Sequence, residues 1–464
     1  MEKFRICFVS GKLGDVDGVS LEVDKWIEIL TVLGHEIFAI AGSFSSPLKK
    51  VPKENCLELP SIRFDSEEQR YFEKMVFPHL SKHPPHLSLD RRVSLLDELV
   101  EKGTEVASTI YEFIQKKEID VLIGENTNAM PMSLLAGTAI HKLATEKRMA
   151  VIFHHHDFWW ERSRFSHNHI ESFLNQIMPP TDLGVEHVVI SSYAEHILRS
   201  IKRVIPHVVY NCEDFDNPPV RDEYNSHFRE DFGFSADDLL FIQPTRVVPR
   251  KRIEDSVELV SRYMKRFEED ASRVHFIISL YEGDETDNTY LQALSELALN
   301  RGVRLHFIAD RVESARRTDP EKGRIYTNRD VLVNADLVTY LPIWEGFGNA
   351  LLEAVAAKVP IVTTTYLVYK TDIKMCGFRN VEIRDNYSRE GELIITEKNL
   401  TDMNKVLNNG KIRQEMVETN FRIASKEFSF RMLRKSLERI LSDYGDEIKA
   451  SAKRLKKSKK NYYV

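Results

Sequence analysis

The sequence predicts an α/β protein of two domains, each built on a parallel β-sheet. Three observations lead to this class. The chain has 464 residues, which is long for a single compact domain. It opens with a strand, a loop, a helix and a second strand, which is the order of a βαβ unit with a parallel sheet. A second series of alternating strands and helices begins at Leu239, beyond a Pro-containing segment over 217–225.

Short β-prone apolar runs alternate with segments of helical spacing in the first half. The opening strand covers Phe4 to Ser10, a helix follows over Leu21 to Leu33, and a second strand covers Ile37 to Ile40. Residues 61–92 carry a His and Pro cluster that is unsuited to a central strand, so we expect an inserted flap or short helices. The remaining elements are a long amphipathic helix over Val93 to Lys117 and strands over Val121 to Gly124, Ala150 to Phe153, His187 to Ile190 and His207 to Tyr210.

The second half predicts a further parallel sheet, with strands near 239–243, 274–280, 303–308, 336–341 and 359–363. The predicted domains are residues 1–217 and 218–428. Residues 429–464 are expected to form a C-terminal helix that returns to the N-terminal domain, followed by a basic tail. From Lys449 onward the chain has seven Lys or Arg residues and no acidic residue, which favours a solvated end over a patch for a membrane surface or a polyanion.

Composition and charge exclude several classes of protein. The chain is 42% hydrophobic and 29% charged, with 19 Gly and 17 Pro, so it is neither low-complexity nor mainly disordered. Its 65 basic and 71 acidic residues give a net charge of −6, which is not the electrostatic footprint of a nucleic-acid binder. The four cysteines form no C-x-x-C pair, and no apolar run approaches the ~18 residues of a membrane span. We therefore expect a cytoplasmic protein with reduced thiols, without stable membrane insertion and without a nucleic-acid partner.

A glycine-containing loop between a strand and a helix predicts an anion site in the second half. The loop holds Glu345, Gly346 and Gly348, and Asn349 is suited to cap a helix over Ala350 to Ala357. Backbone N–H groups at a helix N-terminus bind anions, and glycines let a diphosphate approach them closely. The alternative is that the two glycines only turn the chain.

Two basic and two acidic side chains are predicted to accompany this loop. Arg246 ends a strand and Lys251 follows at the start of the next helix, so both cations are expected at the C-terminal edge of the sheet, where parallel α/β sheets bind ligands. Such a pair would stabilise a departing nucleoside diphosphate. Glu345 and Glu353 are suited to accept hydrogen bonds from sugar hydroxyls. A solvated basic helix start and a surface position for Glu353 are the alternatives.

A third segment, HHHDFWWERSRF, begins at His154, where a predicted strand ends. Successive histidines on a strand alternate faces, so the three cannot converge on one metal ion without distortion, and no metal site is predicted. Trp159 is suited to stack on a sugar ring, and Arg162 and Arg164 are suited to pair with a carboxylate or phosphate. These side chains predict a site for a small anionic sugar or sugar acid; the alternative is a buried Trp with surface arginines.

Taken together, these segments resemble the retaining glycosyltransferases of family 4. The similarity is carried by GKLGDVDGVS near the start, HHHD, YNCED before the linker, TRVVPRK and EGFGNALLE, in that order. The resemblance implies the GT-B fold, in which two Rossmann-like domains have parallel sheets that face a central cleft. The first loop, HHHDFWWER and QPTRVVPRK are similar to a subgroup that resembles mannosylglucosylglycerate synthases. The chain departs from the family pattern at Asp17 and Arg252, where the family has glycine.

The resemblance implies a role for each residue singled out above. The catalytic set would be Arg246 and Lys251 on the donor diphosphate, with Glu345 and His156 beside the donor sugar. The donor-binding residues would be Gly18, Gly346, Phe347, Gly348, Asn349, Ala350 and Glu353, of which Glu353 would bind the ribose. The acceptor-binding residues would be Asp17, Trp159, Arg162 and Arg164.

The sequence thus predicts a retaining hexosyltransferase that moves a hexose, mannose or glucose, from a nucleotide diphosphate sugar to a hydroxyl of a small anionic sugar or sugar-acid acceptor. GDP-mannose and UDP-glucose are the favoured donors, and no cofactor is required because fixed cations already meet the diphosphate. Two alternatives stay open. One is a glycoside hydrolase or phosphorylase with Glu345 and Glu353 as its carboxylate pair, and the other is a nucleotide-sugar-binding protein without turnover. The sequence also leaves the oligomeric state open.

Overall fold

The computed structural model describes residues 2–15, 17–80, 87–280 and 289–461. Its contacts divide the chain into two compact units, one of Met1–Tyr210 with Leu433–Val464 and one of Asn211–Met432. The limits at residues 217 and 428 stay predictions of the domain boundaries. No helix in these described ranges combines the length and the apolar character that crossing a bilayer requires.

The first unit is built on a seven-stranded sheet in which neighbouring strands are parallel. Its strands are β1 (Arg5–Ser10), β2 (Glu36–Ala41), β3 (Cys56–Glu58), β4 (Val121–Glu125), β5 (Ala150–His155), β6 (Val185–Val189) and β7 (His207–Val208). They lie in the order β3-β2-β1-β4-β5-β6-β7. The central strands β4 and β5 are buried along their whole length, as expected of parallel strands with near-continuous apolar sequences.

Capping side chains begin the longer helices of this unit. The helices before residue 211 are α1 (Gly18–Val32), α2 (Glu67–Val76), α3 (Leu89–Lys117), α4 (Leu134–Thr145), α5 (Ser163–Ser166), α6 (Glu171–Ile177) and α7 (Ser192–Lys202). The side chains of Asp17, Ser66, Ser88, Ser133 and Ser191 each accept a backbone N–H from the first turn of the helix that follows. The sequence therefore fixes where these helices start.

The second unit contains a six-stranded parallel sheet and a short hairpin. The sheet strands are β8 (Leu239–Gln243), β9 (Val274–Ile278), β10 (Leu305–Phe307), β13 (Leu337–Tyr340), β14 (Ile361–Thr364) and β15 (Val381–Ile383), and the antiparallel hairpin is β11 (Arg317–Asp319) with β12 (Gly323–Ile325). The sheet order is β10-β9-β8-β13-β14-β15. The helices of this unit are α8 (Phe228–Asp231), α9 (Ile253–Arg266), α10 (Glu268–Ala271), α11 (Thr289–Arg301), α12 (Asn328–Leu332), α13 (Asn349–Ala356), α14 (Glu397–Asn408) and α15 (Gly410–Glu427).

The C-terminal helices are α16 (Phe430–Asp443) and α17 (Gly445–Asn461). The hydroxyl of Ser451 accepts a hydrogen bond from the backbone N–H of Ala150 (2.9 Å), and the hydroxyl of Tyr444 accepts one from that of Val151 (3.1 Å). Both contacts tie the end of the chain to the start of β5 in the first unit.

Each sheet has a point at which the strand order reverses. In the first unit this point lies between β1 and β4, and in the second it lies between β8 and β13. Open α/β sheets bind ligands outside the carboxyl ends of the strands at such a point. The loops that follow these four strands are therefore the first places to look for a functional site.

The predicted α/β class with two parallel sheets is confirmed. The predicted strands are present within a few residues, whereas β3, β15 and the β11–β12 hairpin were missed, and each of these strands has three residues. In the segment predicted as a flap or short helices, the structure has α2 between the 3-10 turns Pro60–Ile62 and Pro78–Leu80. Residues 81–86 of that segment lie outside the described residues.

Candidate active site

The loop between β13 and α13 ends at a glycine whose backbone conformation excludes other residues. Gly348 is the N-cap of α13 and has a φ of 133°, which side chains rarely allow. A Cβ there would collide with the hydroxyl of Tyr366, which donates a hydrogen bond to the carbonyl of Phe347 (2.7 Å). The predicted cap at Asn349 is wrong, because Asn349 is the first helical residue and its Oδ1 accepts a hydrogen bond from Asn211 Nδ2 (2.7 Å).

The first turn of α13 has the character of an anion site. Its N-cap, Gly348, has no side chain to accept a backbone N–H of the first turn, and the turn contains no acidic residue. The backbone N–H groups at this end, including those of Asn349 and Ala350, carry the partial positive charge of a helix N-terminus. Gly346 is partly buried beside the turn. The contact of these groups with a donor phosphate stays a prediction.

A buried carboxylate in the same loop is held by two cations. Lys251 Nζ donates a short hydrogen bond to Glu345 Oε1, and Arg250 Nη1 donates to the same oxygen at 3.0 Å. Burial acts to raise the pKa of Glu345, but the charges of Lys251 and Arg250 outweigh it and lower that pKa. Glu345 is therefore ionised and fixed in position. Arg250 was not among the predicted site residues.

The loop after β8 brings the predicted cations to the carboxyl end of that strand. Lys251 ends a 3-10 turn, Pro249–Lys251, and does not begin α9 as the sequence analysis expected. Gln243 Nε2 donates to the carbonyl of Lys251 at 3.2 Å and so ties the two ends of the loop. Burial, opposed by Glu345, lowers the pKa of Lys251, and the charge of Arg246 acts in the same direction as burial. Arg246 and Lys251 both lie in the segment between β8 and α9.

Arg252 shows how the chain tolerates a residue where the family has glycine. Its φ of 50° and ψ of 51° are left-handed, a conformation that costs most residues about 1 to 2 kcal/mol. The guanidinium of Arg252 donates two hydrogen bonds to Asp255, at 2.7 and 3.1 Å, and one to the carbonyl of Gly391 at 2.8 Å. These contacts offset the backbone cost and fix the turn that precedes α9.

Glu353 accepts a hydrogen bond from Asn328, which is itself held by Ser279. Asn328, the first residue of α12, donates a hydrogen bond from Nδ2 to Glu353 Oε2 at 2.7 Å. Ser279, directly after β9, donates to Asn328 Oδ1 at 2.8 Å. Both ends of the Asn328 amide are therefore engaged, so its orientation is fixed. Neither Asn328 nor Ser279 was among the residues predicted from the sequence.

In the first unit, the ends of β4 and β5 form a second polar cluster. Glu125 is fully buried, and its carboxylate accepts from His154 Nδ1 (2.9 Å) and His156 Nε2 (3.3 Å). Burial opposes ionisation of Glu125, but the charge of His154 and the hydrogen bonds of both rings outweigh it and lower the pKa of Glu125 to about 2. Burial likewise opposes the charged form of His156, but Glu125 outweighs it and raises the pKa of His156. The ring of Trp26 stacks on His154, with centroids 4.3 Å apart.

The middle histidine of the run faces the other way, as strand alternation requires. His155 Nε2 lies 2.9 Å from His187 Nδ1, and burial lowers the pKa of both rings. Within the described ranges, Glu125, His154 and His156 are the one group of three whose ligand atoms lie close enough, within 4.8 Å of one another, to hold a metal ion. In this structure they hydrogen-bond to one another.

The first loop caps α1. Asp17 Oδ1 accepts the backbone N–H groups of Val19 (3.0 Å) and Ser20 (3.1 Å), and Gly18 is the exposed first residue of the helix. The carboxylate that replaces the family glycine therefore works as an N-cap. Its predicted contact with an acceptor stays a prediction.

The structure gives the predicted acceptor residues different surroundings. Trp159 is 4% exposed, and its Nε1 donates to the carbonyl of Met178 at 2.9 Å, so it packs in the core of the unit instead of presenting a ring face to solvent. Arg162 is partly exposed and pairs with Asp157 through a short hydrogen bond. Arg164 is 41% exposed and lies 3.6 Å from Glu73. Both arginines are more exposed than Trp159, and their contact with an acceptor stays a prediction.

Comparisons with known proteins identify the family of the chain. The family model "Glycosyl transferases group 1" matches residues 225–375, the stretch that contains Arg246, Lys251, Glu345 and Glu353. Mannosylglucosylglycerate synthase of Thermotoga maritima is 30% identical over 450 residues, which cover 94% of this chain and 99% of the relative. The synthase of the same name from Petrotoga mobilis is 29% identical over 401 residues, which cover 82% of this chain and 86% of the relative.

A solved structure supports the fold. The glycosyltransferase from Rickettsia africae superposes with a TM-score of 0.63 at 14% identity and covers 97% of this chain and 100% of its own. At that identity the likeness concerns the fold alone, which is GT-B with two Rossmann-like domains. On the strength of the full-length similarity, the chain belongs to the group 1 glycosyl transferases and resembles the mannosylglucosylglycerate synthases among them.

Proposed function

We propose that the protein is a retaining hexosyltransferase that takes its hexose from a nucleotide diphosphate sugar. The observation that carries the proposal is the cluster at the sheet reversal of the second unit, where Lys251 and Arg250 hold the buried carboxylate of Glu345 close to the N-terminus of α13. Such a site offers fixed positive charge and backbone N–H groups to a diphosphate and a fixed acceptor of hydrogen bonds to a sugar.

The reaction needs positioning and charge stabilisation more than covalent chemistry. The bond between the anomeric carbon and the diphosphate oxygen breaks, and a bond to an acceptor hydroxyl forms on the same face. The acceptor proton passes to the departing diphosphate. Arg246, Lys251 and the α13 N-terminus would stabilise the negative charge that develops on the leaving group. With cations already supplied by the chain, the proposal includes no required metal ion.

The names of the relatives guide the choice of substrates. A mannosylglucosylglycerate contains mannosyl, glucosyl and glycerate parts, and the glycerate carries a carboxylate. We therefore place mannose first among the hexoses, with GDP-mannose and then UDP-glucose as donors. The acceptor would be a small sugar-acid glycoside, with Arg162 or Arg164 as the partner of its carboxylate. A cytoplasmic location, where both substrates are available, is part of the same proposal.

A donor screen tests the proposal. Thermal unfolding would be measured with GDP-, UDP- and ADP-sugars, and mixtures with sugar-acid acceptors would then be examined by mass spectrometry. One nucleotide should raise the melting temperature above the others, and the product mass should equal the acceptor plus one anhydrohexose. Release of sugar from a glycoside without any nucleotide would instead identify a hydrolase, and binding without turnover would identify a scaffold.

A further inference from the structure

Two adjacent residues at the end of β4 hold the histidine at the end of β5. Glu125, the last residue of β4, contacts the ring of His156 at Nε2 (3.3 Å). Asn126 follows it with a left-handed φ of 55° and contacts the backbone of the same histidine. The family resemblance places His156 beside the donor sugar and implies no role for Glu125 or Asn126.

Asn126 fixes the main chain of the turn. Its backbone N–H donates to the carbonyl of His154 (2.8 Å), and its side-chain Oδ1 accepts from the backbone N–H of His156 (3.1 Å). Its Nδ2 donates to Asp157 Oδ1 at 3.0 Å. Asn126, directly after β4, thereby contacts the end of β5 and the two residues beyond it through one backbone and two side-chain hydrogen bonds. The peptide of His156 has little freedom to rotate.

Glu125 fixes the ring. Its ionised carboxylate is only an acceptor, so the proton of the His156 imidazole that faces it must be on Nε2. His154 Nδ1 donates to the same carboxylate, and Trp26 stacks on the His154 ring, so the carboxylate is itself held in place. Within the described part of the chain, Nδ1 of His156 forms no hydrogen bond.

We propose that Glu125 and Asn126 are positioning residues that orient His156 so that its Nδ1, and not its Nε2, contacts the transferred hexose. The inference rests on the proposed function for the identity of the ligand. The orientation of the ring does not depend on the ligand. Nε2 faces the buried carboxylate of Glu125, and Nδ1 is the nitrogen available to a sugar hydroxyl. The side chain of His156 is 9% exposed, which leaves a narrow opening for such a contact.

The hydrogen bonds among Glu125, His154 and His156 favour imidazole rings that donate protons to the carboxylate over a bound metal ion. The two imidazoles already satisfy the carboxylate of Glu125 with donated hydrogen bonds. A divalent ion would require both rings to present lone pairs to it, so the hydrogen bonds that they donate to Glu125 would be lost.

A double-mutant cycle distinguishes positioning from a merely structural role. Glu125→Gln should lower kcat/KM by about 10- to 150-fold, the range expected for loss of a hydrogen bond to a charged group. If Glu125 acts through His156, the same substitution should cost almost nothing further in a His156→Asn background. Asn126→Gly keeps the left-handed backbone and removes the side chain, and it should also lower kcat/KM.

Asp120→Asn is the matched control. Asp120 lies at the opposite end of β4, where its Oδ2 accepts the backbone N–H of Arg5 at 2.8 Å. Its loss should change the melting temperature and leave kcat/KM close to the wild-type value. Additive effects of Glu125→Gln and His156→Asn, or a wild-type kcat/KM for both Glu125→Gln and Asn126→Gly, would overturn the proposal.

A second readout does not depend on turnover. With ¹⁵N-labelled histidine, the neutral ring of His156, assigned from the His156→Asn variant, should carry its proton on Nε2, and Glu125→Gln should shift that resonance. A neutral ring with its single proton on Nδ1 in the wild type would overturn the proposal, as would a stoichiometric metal ion that elemental analysis finds in the wild type and not in Glu125→Gln. If the ring has the expected tautomer and no donor is turned over, then the proposed function has failed and the positioning has not.

Discussion

Two carboxylates of the candidate site in the second unit have fixed partners. Glu345 is buried against Lys251 and Arg250, and Glu353 is held by Asn328. An unpaired buried charge is costly, so Lys251 and Arg250 keep Glu345 ionised, whereas Asn328 holds the Glu353 carboxylate in one orientation. A diphosphate sugar would bind to side chains that are already ordered. The free-energy cost of ordering them on binding is therefore smaller.

Replacing Arg246 tests whether its side chain stabilises the departing diphosphate. Arg246→Ala should raise the barrier by about 2 to 4 kcal/mol, because one positive group no longer stabilises the developing charge. The measurement is kcat/KM for the donor under saturating acceptor. Arg273→Ala is the control, since Arg273 precedes β9 at the other end of the same sheet and pairs with Asp270 at 3.1 Å. Equal effects of the two substitutions would remove Arg246 from the mechanism.

Replacing Asn328 tests whether its hydrogen bond to Glu353 is needed for nucleotide binding. Asn328→Ala should weaken nucleotide binding by about 1 to 2 kcal/mol, because Glu353 loses a hydrogen bond that fixes its carboxylate. We expect the dissociation constant measured by calorimetry to rise, with a smaller change in kcat. Asn408→Ala, on an exposed part of α14, is the control. An unchanged dissociation constant for Asn328→Ala would mean that Glu353 does not contact the nucleotide.

The residues that follow the predicted strands include some of these site residues and not others. The motifs around Arg246 and Glu345 could be predicted because each follows an apolar strand and contains glycine or a cation pair. Glu125 and Asn126 carry the same signal, since they directly follow the predicted strand over Val121 to Gly124, and the rule would have found them. The contact of Asn328 with Glu353 joins residues 25 apart in different elements, and no local pattern predicts it.

At the scale of single elements, the glycine loop before α13 is the most constrained. Gly348 combines a positive φ with close approach to Tyr366, and Tyr366 in turn holds the carbonyl of Phe347. The position of the helix N-terminus therefore depends on a residue without a side chain.

Gly348→Ala should displace this loop. The expected loss of stability is about 1 to 3 kcal/mol, typical of a side chain forced into a sparsely populated backbone conformation, and kcat/KM should fall further than stability alone explains. Urea unfolding and donor kinetics would measure the two effects. Gly410→Ala is the matched control, since Gly410 begins α15 and a Cβ there meets open space. A Gly348→Ala enzyme with wild-type kinetics would contradict the role given to the loop.

Long elements could be predicted from the sequence, whereas short strands and one helix cap could not. Long apolar runs such as β5 and strongly amphipathic segments such as α3 were predicted because burial on one or both faces sets their pattern. The strands β3 and β15 have three residues each, too few to show a period, and they exist because a longer neighbouring strand offers hydrogen bonds. The cap of α13 was misassigned because Asn is a good cap in general, whereas this turn requires a positive φ.

At the scale of the whole molecule, buried histidines make the stability depend on pH. Burial lowers the pKa of His187 to about 4 and that of His155 well below its usual value of 6.5. The unfolded chain therefore binds protons more readily, and the stability that is present at pH 7 is lost as the pH falls from about 6.5 toward 4. For His187 the difference amounts to about 3 kcal/mol.

Replacing the pair tests this dependence. The double variant His155→Leu with His187→Leu removes both polar partners together, so neither ring is left with an unpaired nitrogen. The free energy of unfolding, measured in urea between pH 7 and pH 4.5, should depend less steeply on pH in the variant than in the wild type. Some slope should persist because burial also lowers the pKa of His35 to about 4. Identical slopes would show that the pair is not neutral in the folded state.

The central claim is that the chain moves a hexose from a nucleotide diphosphate sugar to an acceptor hydroxyl with retention. The most direct test is proton NMR of the reaction of GDP-mannose with a glucosylglycerate acceptor, in which the released nucleotide and the new anomeric proton are followed together. We predict one nucleoside diphosphate for each glycoside formed and an anomeric configuration equal to that of the donor. An inverted product, or free mannose formed without any glycoside, would contradict the claim.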